Sequence, residues 1–184
     1  MTVTTPDFNA LAARVHQTAV DHGWWESERD FDEMCFLMTT ELAEAFEEYR
    51  EQKPLVYYSR EQSTPPKPEG ITTELADVVI RALDTILTVS GGVDLNVEVG
   101  QCWKVMQLPP ENIGRAFRLI DKRINRAADH GRSKPMLTTT NLLIIMIMCH
   151  ELSAKLGCKD FWAVVEEKMA YNDTRPYRHG GKLA

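Results

Sequence analysis

The stretch ITTELADVVIRAL, residues 71–83, decides the fold, because it is apolar around most of a helix. At about 100° per residue, apolar side chains fill most of the helix surface. One narrow arc holds the polar residues Glu74, Asp77, Arg81, Asp84 and Thr85. A helix of this kind is enclosed by other helices, so its polar stripe has to face an internal cleft. The sequence therefore predicts a helical bundle with charged groups inside it.

A second acidic stretch, TELAEAFEEYR at residues 40–50, carries its acids on the apolar side of its own helix. Glu41 and Glu44 are three residues apart, so on a helix both side chains lie within about 60° of one line. The same sector of the helix also holds Met34, Leu37, Met38 and Ala45. Glutamate is a good helix former, so a solvated acidic stripe is the other interpretation of this stretch.

Two such helices in succession favour a metal site. Buried carboxylates that face one another repel and lose hydration, and a divalent cation relieves both costs. Oxygen ligands suit Mg²⁺ best, with Mn²⁺ as a substitute. A ferritin-like di-iron site needs Glu-x-x-His pairs, and no acid of this chain has a histidine three residues after it. We therefore predict a cage for hard cations formed by Glu41, Glu44, Glu74 and Asp77.

Composition restricts the class of protein. The chain has 184 residues and a formal net charge of −6, which disfavours general nucleic-acid binding. The four cysteines form no CxxC pair, so we expect core thiols in a reducing compartment. The N-terminus lacks the pattern of a signal peptide, and the longest apolar run, residues 142–149, is too short to span a membrane. We expect a cytoplasmic protein with no membrane or nucleic-acid partner.

Glycine and proline divide the chain into seven predicted helices, which makes the expected fold class all-α. The expected N-caps are Asp7, Asp94 and either Thr72 or Thr73. Residues 53–70 contain four prolines and form the longest break between helices. The predicted helices cover about residues 8–22, 32–52, 72–91, 95–107, 111–130, 139–156 and 160–171.

A weak internal repeat suggests a duplicated helical unit. Residues 67–75 are echoed by residues 134–142, at a constant offset of 67. In the second copy Asn141 and Ile144 stand where the first has Glu74 and Asp77, so we predict one cage per chain. A chance match is the other interpretation. The predicted organisation is one compact domain, with a metal-binding half (1–92), a degenerate second half (93–157) and a last helix with a basic tail (158–184).

The C-terminal stretch carries groups suited to a polyphosphate. Arginine makes bidentate contacts with phosphate, and lysine supplies a point charge. Asn172 is a candidate for hydrogen bonding to sugar or phosphate, and Trp25 or Trp24 for stacking on a base. A disordered basic tail and tryptophans that only plug the core are the other interpretations. The candidate cations are Lys168, Arg175, Arg178 and Lys182.

Taken together, these motifs resemble those of the MazG-like all-α nucleoside triphosphate pyrophosphohydrolases, a group that also contains the dimeric dUTPases. Its hallmark is an acidic pair on one helix and ExxD on the next. Many relatives also have an HG-aromatic segment before the first acidic helix, as at residues 22–25, and an ending similar to N-x-x-RPYRHGGK, as at residues 172–182. The resemblance covers about residues 8–92 and 158–182.

The resemblance implies that a (d)NTP is hydrolysed to (d)NMP and pyrophosphate by a homodimer, in nucleotide-pool sanitation or dNTP control. Mg²⁺ at the four acids would activate the attacking water, and the basic residues would neutralise the leaving pyrophosphate. The first acidic helix of the family often reads EExxE, but here Thr40 takes the first position. The base that activates the water is then expected at Glu44 or Glu48, with Glu47 as a further candidate.

Two other classes of protein stay open at this point. One is a metal or nucleotide sensor that keeps the cage but has lost its catalytic base, as Thr40 suggests. The other is a structural helical module whose acids pair with Arg81 and other basic residues of the same chain.

Overall fold

The computed structural model of the protein describes residues 5–59, 65–106 and 112–181. The structure is 73% helical and contains almost no strand, so the prediction of an all-α helical bundle is confirmed. In chain order the elements are α1 (Phe8–Asp21), α2 (Phe31–Arg50), β1 (Tyr57–Tyr58), β2 (Pro68–Glu69), α3 (Ile71–Leu87), α4 (Leu95–Val105), α5 (Ile113–His130), a 3-10 turn (Gly131–Ser133), α6 (Pro135–Leu156), α7 (Phe161–Asp173) and the single turn α8 (Arg178–Gly181).

Most helix ends follow from local sequence. Asp7 and Asp94 cap α1 and α4 as predicted, and each accepts hydrogen bonds from two backbone N–H groups of the first turn. Helix α6 begins at Pro135, four residues before the predicted start, because proline fits the first turn of a helix. It ends at Gly157, which adopts the left-handed conformation that favours glycine.

The prediction that Thr72 or Thr73 caps α3 is wrong. Helix α3 follows Gly70 directly, and no side chain caps it. The two threonine hydroxyls donate instead to the carbonyls of Leu55 and Glu69, at 2.6 Å and 3.1 Å. At Gly70 φ is +111°, and a β-carbon there would press on the Leu55 carbonyl. The start of α3 is therefore tied to the segment that precedes it, where β1 and β2 pair antiparallel.

Two helix pairs form the centre of the bundle. Helix α2 packs on α3, α5 packs on α6, and α3 and α6 pack against each other. Helices α1 and α7 cover α3, and α4 covers α6. Large aliphatic side chains of α3 and α6, such as Leu83 and Ile145, are fully buried where these layers meet. The two pairs correspond to the two copies of the weak repeat, although the duplication itself stays a prediction.

Helix α6 is long and apolar enough to cross a membrane by length and composition alone. In this fold, 72% of its most apolar window is buried inside the protein. Its buried residues point in all directions around the helix, because α3, α4, α5 and α7 each contact it. This degree of enclosure is typical of the core helix of a bundle.

Candidate active site

A cavity of about 210 Å³ opens between α1, α2, α3 and α7. The polar stripe predicted on α3 faces it, since Glu74, Asp77, Arg81 and Asp84 all line the cavity. Glu74 and Asp84 are ten residues apart, which corresponds to about 15 Å along a helix. The cavity is therefore elongated along α3, and its two ends have different chemistry.

Three carboxylates converge at one end, which we call the acidic end. Glu41 and Glu44 of α2 and Glu74 of α3 each place an oxygen within 4.8 Å of the other two. Two oxygens bound to one Mg²⁺ at about 2.1 Å are about 3.0 Å apart in adjacent positions and about 4.2 Å apart in opposite positions, so side-chain movements of about 1–2 Å would bring all three onto one ion. The donor set therefore fits a hard divalent cation.

Burial disfavours ionisation at this end. Burial, and next the charge of Asp77, raises the pKa of Glu74 to about 8. Burial also raises the pKa of Glu41, against the opposing effect of the Arg81 guanidinium. Glu74 is 6% exposed, whereas Glu44 is open to solvent. Two ionisable acids at the inner end of a pocket, with an exposed third beside them, are an arrangement that a cation would stabilise.

Two basic side chains already compensate part of this charge. Arg81 donates two hydrogen bonds to Glu41, at 2.8 Å and 2.5 Å. Lys168 lies 2.8 Å from Asp77 and is only 2% exposed. Burial lowers the pKa of Lys168, but the charges of Asp77 and Glu74 outweigh burial and raise it overall. The fourth predicted ligand, Asp77, is thus beside the three clustered acids but is paired with a lysine.

The other predicted site residues of α2 and α7 divide into two groups. Asn172 lines the cavity and donates to Asp77 at 3.4 Å, and its carbonyl oxygen is buried without a hydrogen bond among the described residues. Glu48 does not line the cavity; it accepts a hydrogen bond from Tyr57 at 3.1 Å. Thr40 donates its hydroxyl to the Leu37 carbonyl at 2.8 Å. Glu44 is therefore the better placed of the two candidate bases.

The opposite end of the cavity, which we call the tryptophan end, is formed by Trp24, Arg29 and Asp84. Trp25, one of the two tryptophans predicted as candidates for stacking on a base, donates its indole N–H to Asp84 at 3.0 Å but is not a lining residue. His16 also contacts Asp84, at 2.7 Å. The structure thus assigns the lining position to Trp24 and a supporting position to Trp25.

The basic tail folds back onto the segment after α1. His22 contacts the Arg175 carbonyl at 2.9 Å, and the Tyr177 ring packs against Gly23, where φ is +80° and a β-carbon would collide with the ring. Arg175 lines the cavity. Arg178 does not; its Nε donates to the Gly23 carbonyl at 3.1 Å. The remaining predicted cation, Lys182, lies outside the described residues.

Sequence reasoning gave no functional role to three charged residues of the cavity, Asp84, Arg29 and Lys67. Asp84 carried a signal, because it falls on the same arc of α3 as Glu74. Arg29 and Lys67 carried no such signal, since both lie between helices, where helical periodicity does not predict the direction of a side chain. Burial is the largest cause lowering the pKa of the Arg29 guanidinium.

Comparisons of the chain with protein-family models, with curated protein sequences and with solved structures give no match. The assignment of a function therefore depends on the chemistry of this cavity.

Proposed function

We propose that the protein is a Mg²⁺-dependent nucleoside triphosphate pyrophosphohydrolase that converts a (d)NTP and water to (d)NMP and pyrophosphate. The observation that carries the proposal is the convergence of Glu41, Glu44 and Glu74 within 4.8 Å in a cavity that also contains basic side chains. The sequence resemblance to the MazG-like pyrophosphohydrolases supports the same reaction. Hydrolysis of a phosphoanhydride requires acidic side chains that bind a metal ion and, beside them, basic side chains that bind the phosphates.

Glu41, Glu44 and Glu74 are the residues that would hold Mg²⁺, with Asp77 as a fourth oxygen donor once Lys168 moves away. Bound Mg²⁺ would supply charge neutralisation at the phosphates and lower the pKa of the attacking water. Glu44, the exposed member of the cluster, is placed to accept the proton of that water. We assign this role to Glu44 in preference to Glu48.

The basic residues would bind the triphosphate. A polyphosphate offers Arg81 and Lys168 new partners in place of Glu41 and Asp77, because each cation sits at the cavity surface in an ion pair. Lys67 and Arg175 line the same cavity and add positive charge. These cations would neutralise the charge that develops on the leaving pyrophosphate.

The proposal is tested by incubating the purified protein with each of the eight common NTPs and dNTPs in Mg²⁺, and measuring pyrophosphate and orthophosphate separately. We expect pyrophosphate with the matching nucleoside monophosphate, and no turnover in EDTA. Release of orthophosphate would contradict cleavage between the α and β phosphates. Absence of turnover with every nucleotide would contradict the enzyme assignment.

A non-catalytic sensor of metal or nucleotide is the second candidate. The observation that favours it is that Thr40, at the position where the family often has a glutamate, is engaged with its own helix backbone. A sensor would bind Mg²⁺ and nucleotide in calorimetric titrations but would not turn the nucleotide over. A purely structural module would show neither binding event.

A further inference from the structure

The tryptophan end of the cavity is built differently from the acidic end. Asp84 is buried and accepts hydrogen bonds from three different side chains: His16 at 2.7 Å, Trp25 at 3.0 Å and Arg29 at 3.2 Å. His16 and Trp25 also contact each other, with ring centroids 5.0 Å apart. A carboxylate with this many donors is held in one orientation, and so are the groups that donate to it.

Arg29 is the group that this network presents to the cavity. Its guanidinium carbon lies 5.8 Å from the centre of the Trp24 ring and 5.3 Å from that of Trp25, in cation–π geometry. Its side chain is 14% exposed. Among the described residues the guanidinium donates one hydrogen bond, to Asp84, although it carries five N–H groups. A guanidinium held in this way at a cavity wall can offer its remaining N–H groups to acceptors of a ligand.

The surroundings of Arg29 suit an uncharged ring better than a phosphate. Asp84 already neutralises the charge of Arg29, and its carboxylate would repel a phosphate brought to the same place. Val15, Ala19 and Ile80 add apolar surface to the cavity wall. Along α3, Glu74 of the acidic end lies about 15 Å from Asp84, and the acidic end has cations of its own in Lys168 and Lys67.

We propose that the tryptophan end is the nucleobase subsite, and that Arg29 selects bases that present two adjacent acceptors, the 6-oxopurines foremost. This inference rests on the proposed function. The O6 and N7 atoms of an oxopurine accept two parallel N–H groups of an arginine, whereas adenine presents an amino group in place of O6. Asp84 is a positioning residue that fixes the guanidinium, with Trp25 and His16 fixing Asp84 in turn.

Inosine and adenosine triphosphate give the sharpest test, because their sugars and phosphates are identical and their bases differ at position 6. We expect the wild-type protein to have a kcat/KM for the inosine compound at least about tenfold higher. Arg29→Met should bring the ratio close to one by lowering the inosine rate about ten- to a hundredfold, with a much smaller effect on the adenosine rate. Arg29→Lys keeps the charge but loses the fork of donors, so most of the preference should disappear with it.

Arg14→Met is the matched control, because Arg14 pairs with Glu166 outside this cavity. It should leave the ratio unchanged. Melting temperatures of all variants exclude loss of folding as the cause, and Arg29→Lys keeps the test valid if Arg29→Met does not fold. A wild-type preference for adenosine, no preference, or an equal loss on both substrates in Arg29→Met would overturn the inference, the last outcome indicating a phosphate contact.

A failure of the proposed function is separable from a failure of this inference. If the wild-type protein hydrolyses no triphosphate, calorimetric titration with inosine and adenosine monophosphate tests the base subsite directly. Tighter binding of the inosine compound, lost in Arg29→Met, would support the subsite without catalysis. Equal affinities for the two monophosphates would overturn it.

Discussion

The helix pairs α2–α3 and α5–α6 pack in similar ways, but the surroundings of their buried polar residues differ. In the first pair, Glu74 faces a cavity and is close to two other carboxylates. In the second, Asn141 is enclosed: it accepts from Arg123 at 3.2 Å, donates to the Leu137 carbonyl at 2.7 Å and contacts His130 at 3.3 Å. Both residues are about equally buried, at 6% and 5% exposed.

Burial alone therefore does not separate a reactive polar residue from a structural one. Asn141 has its hydrogen bonds completed by its own chain, and one of its partners is the Arg123 guanidinium. Glu74 has two acids of α2 as neighbours and a raised pKa caused by burial. The two residues differ in whether neighbouring side chains satisfy all the hydrogen-bonding groups of the buried side chain or leave some of them free for a ligand.

The largest expected effect is the loss of activity when an acid of the first pair is neutralised. Glu41→Gln and Glu74→Gln should each reduce the rate of pyrophosphate release about a hundredfold or more, because a lost carboxylate weakens metal binding. Far-UV circular dichroism should be unchanged. Asn141→Ala is the matched change in the second pair and should retain most activity. Equal losses in Asn141→Ala and Glu74→Gln would remove the functional distinction between the two pairs.

The second prediction transfers the acids to the other pair. Asn141→Glu combined with Ile144→Asp should destabilise the protein by on the order of several kcal/mol, because two carboxylates would replace a hydrogen-bonded amide and a buried aliphatic side chain, and the Arg123 guanidinium beside position 141 can compensate at most one of them. Urea denaturation measures the free energy of unfolding. Ile144→Val, a control for lost volume alone, should cost about 1 kcal/mol. A double variant as stable as wild type would show that the second pair also tolerates a carboxylate pair.

The third prediction is a pH dependence of stability that belongs to the first pair alone. The folded-state pKa of Glu74, about 8, lies above its ordinary value of 4.5. Between these pH values the folded protein holds a proton that the unfolded chain has lost, so stability falls as pH rises through this window. In EDTA, Glu74→Gln should reduce this slope and be more stable than wild type at pH 8. Parallel stability profiles for the two proteins between pH 5 and pH 8 would contradict the prediction.

The fourth prediction compares two arginines of the tail. Arg175 lines the cavity, whereas Arg178 is turned toward the Gly23 carbonyl. Arg175→Ala should raise KM for a triphosphate about three- to tenfold and also lower kcat, because the lost contact would act on the bound triphosphate and on the charge that develops on the leaving pyrophosphate. Arg178→Ala should change KM less and lower the melting temperature more. The reverse pattern would assign the phosphate contact to Arg178.

The smallest expected effect concerns metal binding at the second pair. Asn141→Ala should leave the affinity for Mn²⁺ nearly unchanged in calorimetric titration, because the side chain is engaged with Arg123 and His130. Its cost should appear in stability, at about 1–3 kcal/mol, since Arg123 loses its acceptor. Anomalous scattering from Mn²⁺-soaked crystals provides the decisive check. A metal peak beside Asn141 would refute the prediction of one cage per chain.

The sequence was sufficient to predict the helices and the meeting of Glu41, Glu44 and Glu74, because helical periodicity fixes which residues share a face. It was not sufficient for contacts made by residues between helices. Arg29 reaches Asp84 across 55 positions of the chain, and no local pattern encodes that approach. The same holds for Lys168, whose pairing with Asp77 depends on how α7 lies against α3.

The prediction of a threonine cap on α3 was wrong for a related reason. Two threonines at the start of a helix are good candidates for an N-cap, but their hydroxyls donate instead to carbonyls of the preceding segment. A turn that packs against another part of the chain has more partners than local sequence can show. Trp24 and Trp25, which lie between α1 and α2, illustrate the same limit, because Trp25 is turned toward Asp84 of α3 and Trp24 is left to line the cavity.

The ion pairs of Arg81 with Glu41 and of Lys168 with Asp77 have a consequence for biosynthesis. A newly made chain can fold around these acids because basic side chains of the same chain pair with two of them. A small zinc domain is unfolded until its ion arrives, whereas this bundle already has a cation partner for Glu41 and for Asp77 without any ion. Binding of the proposed Mg²⁺ would then be an exchange of partners inside a finished fold.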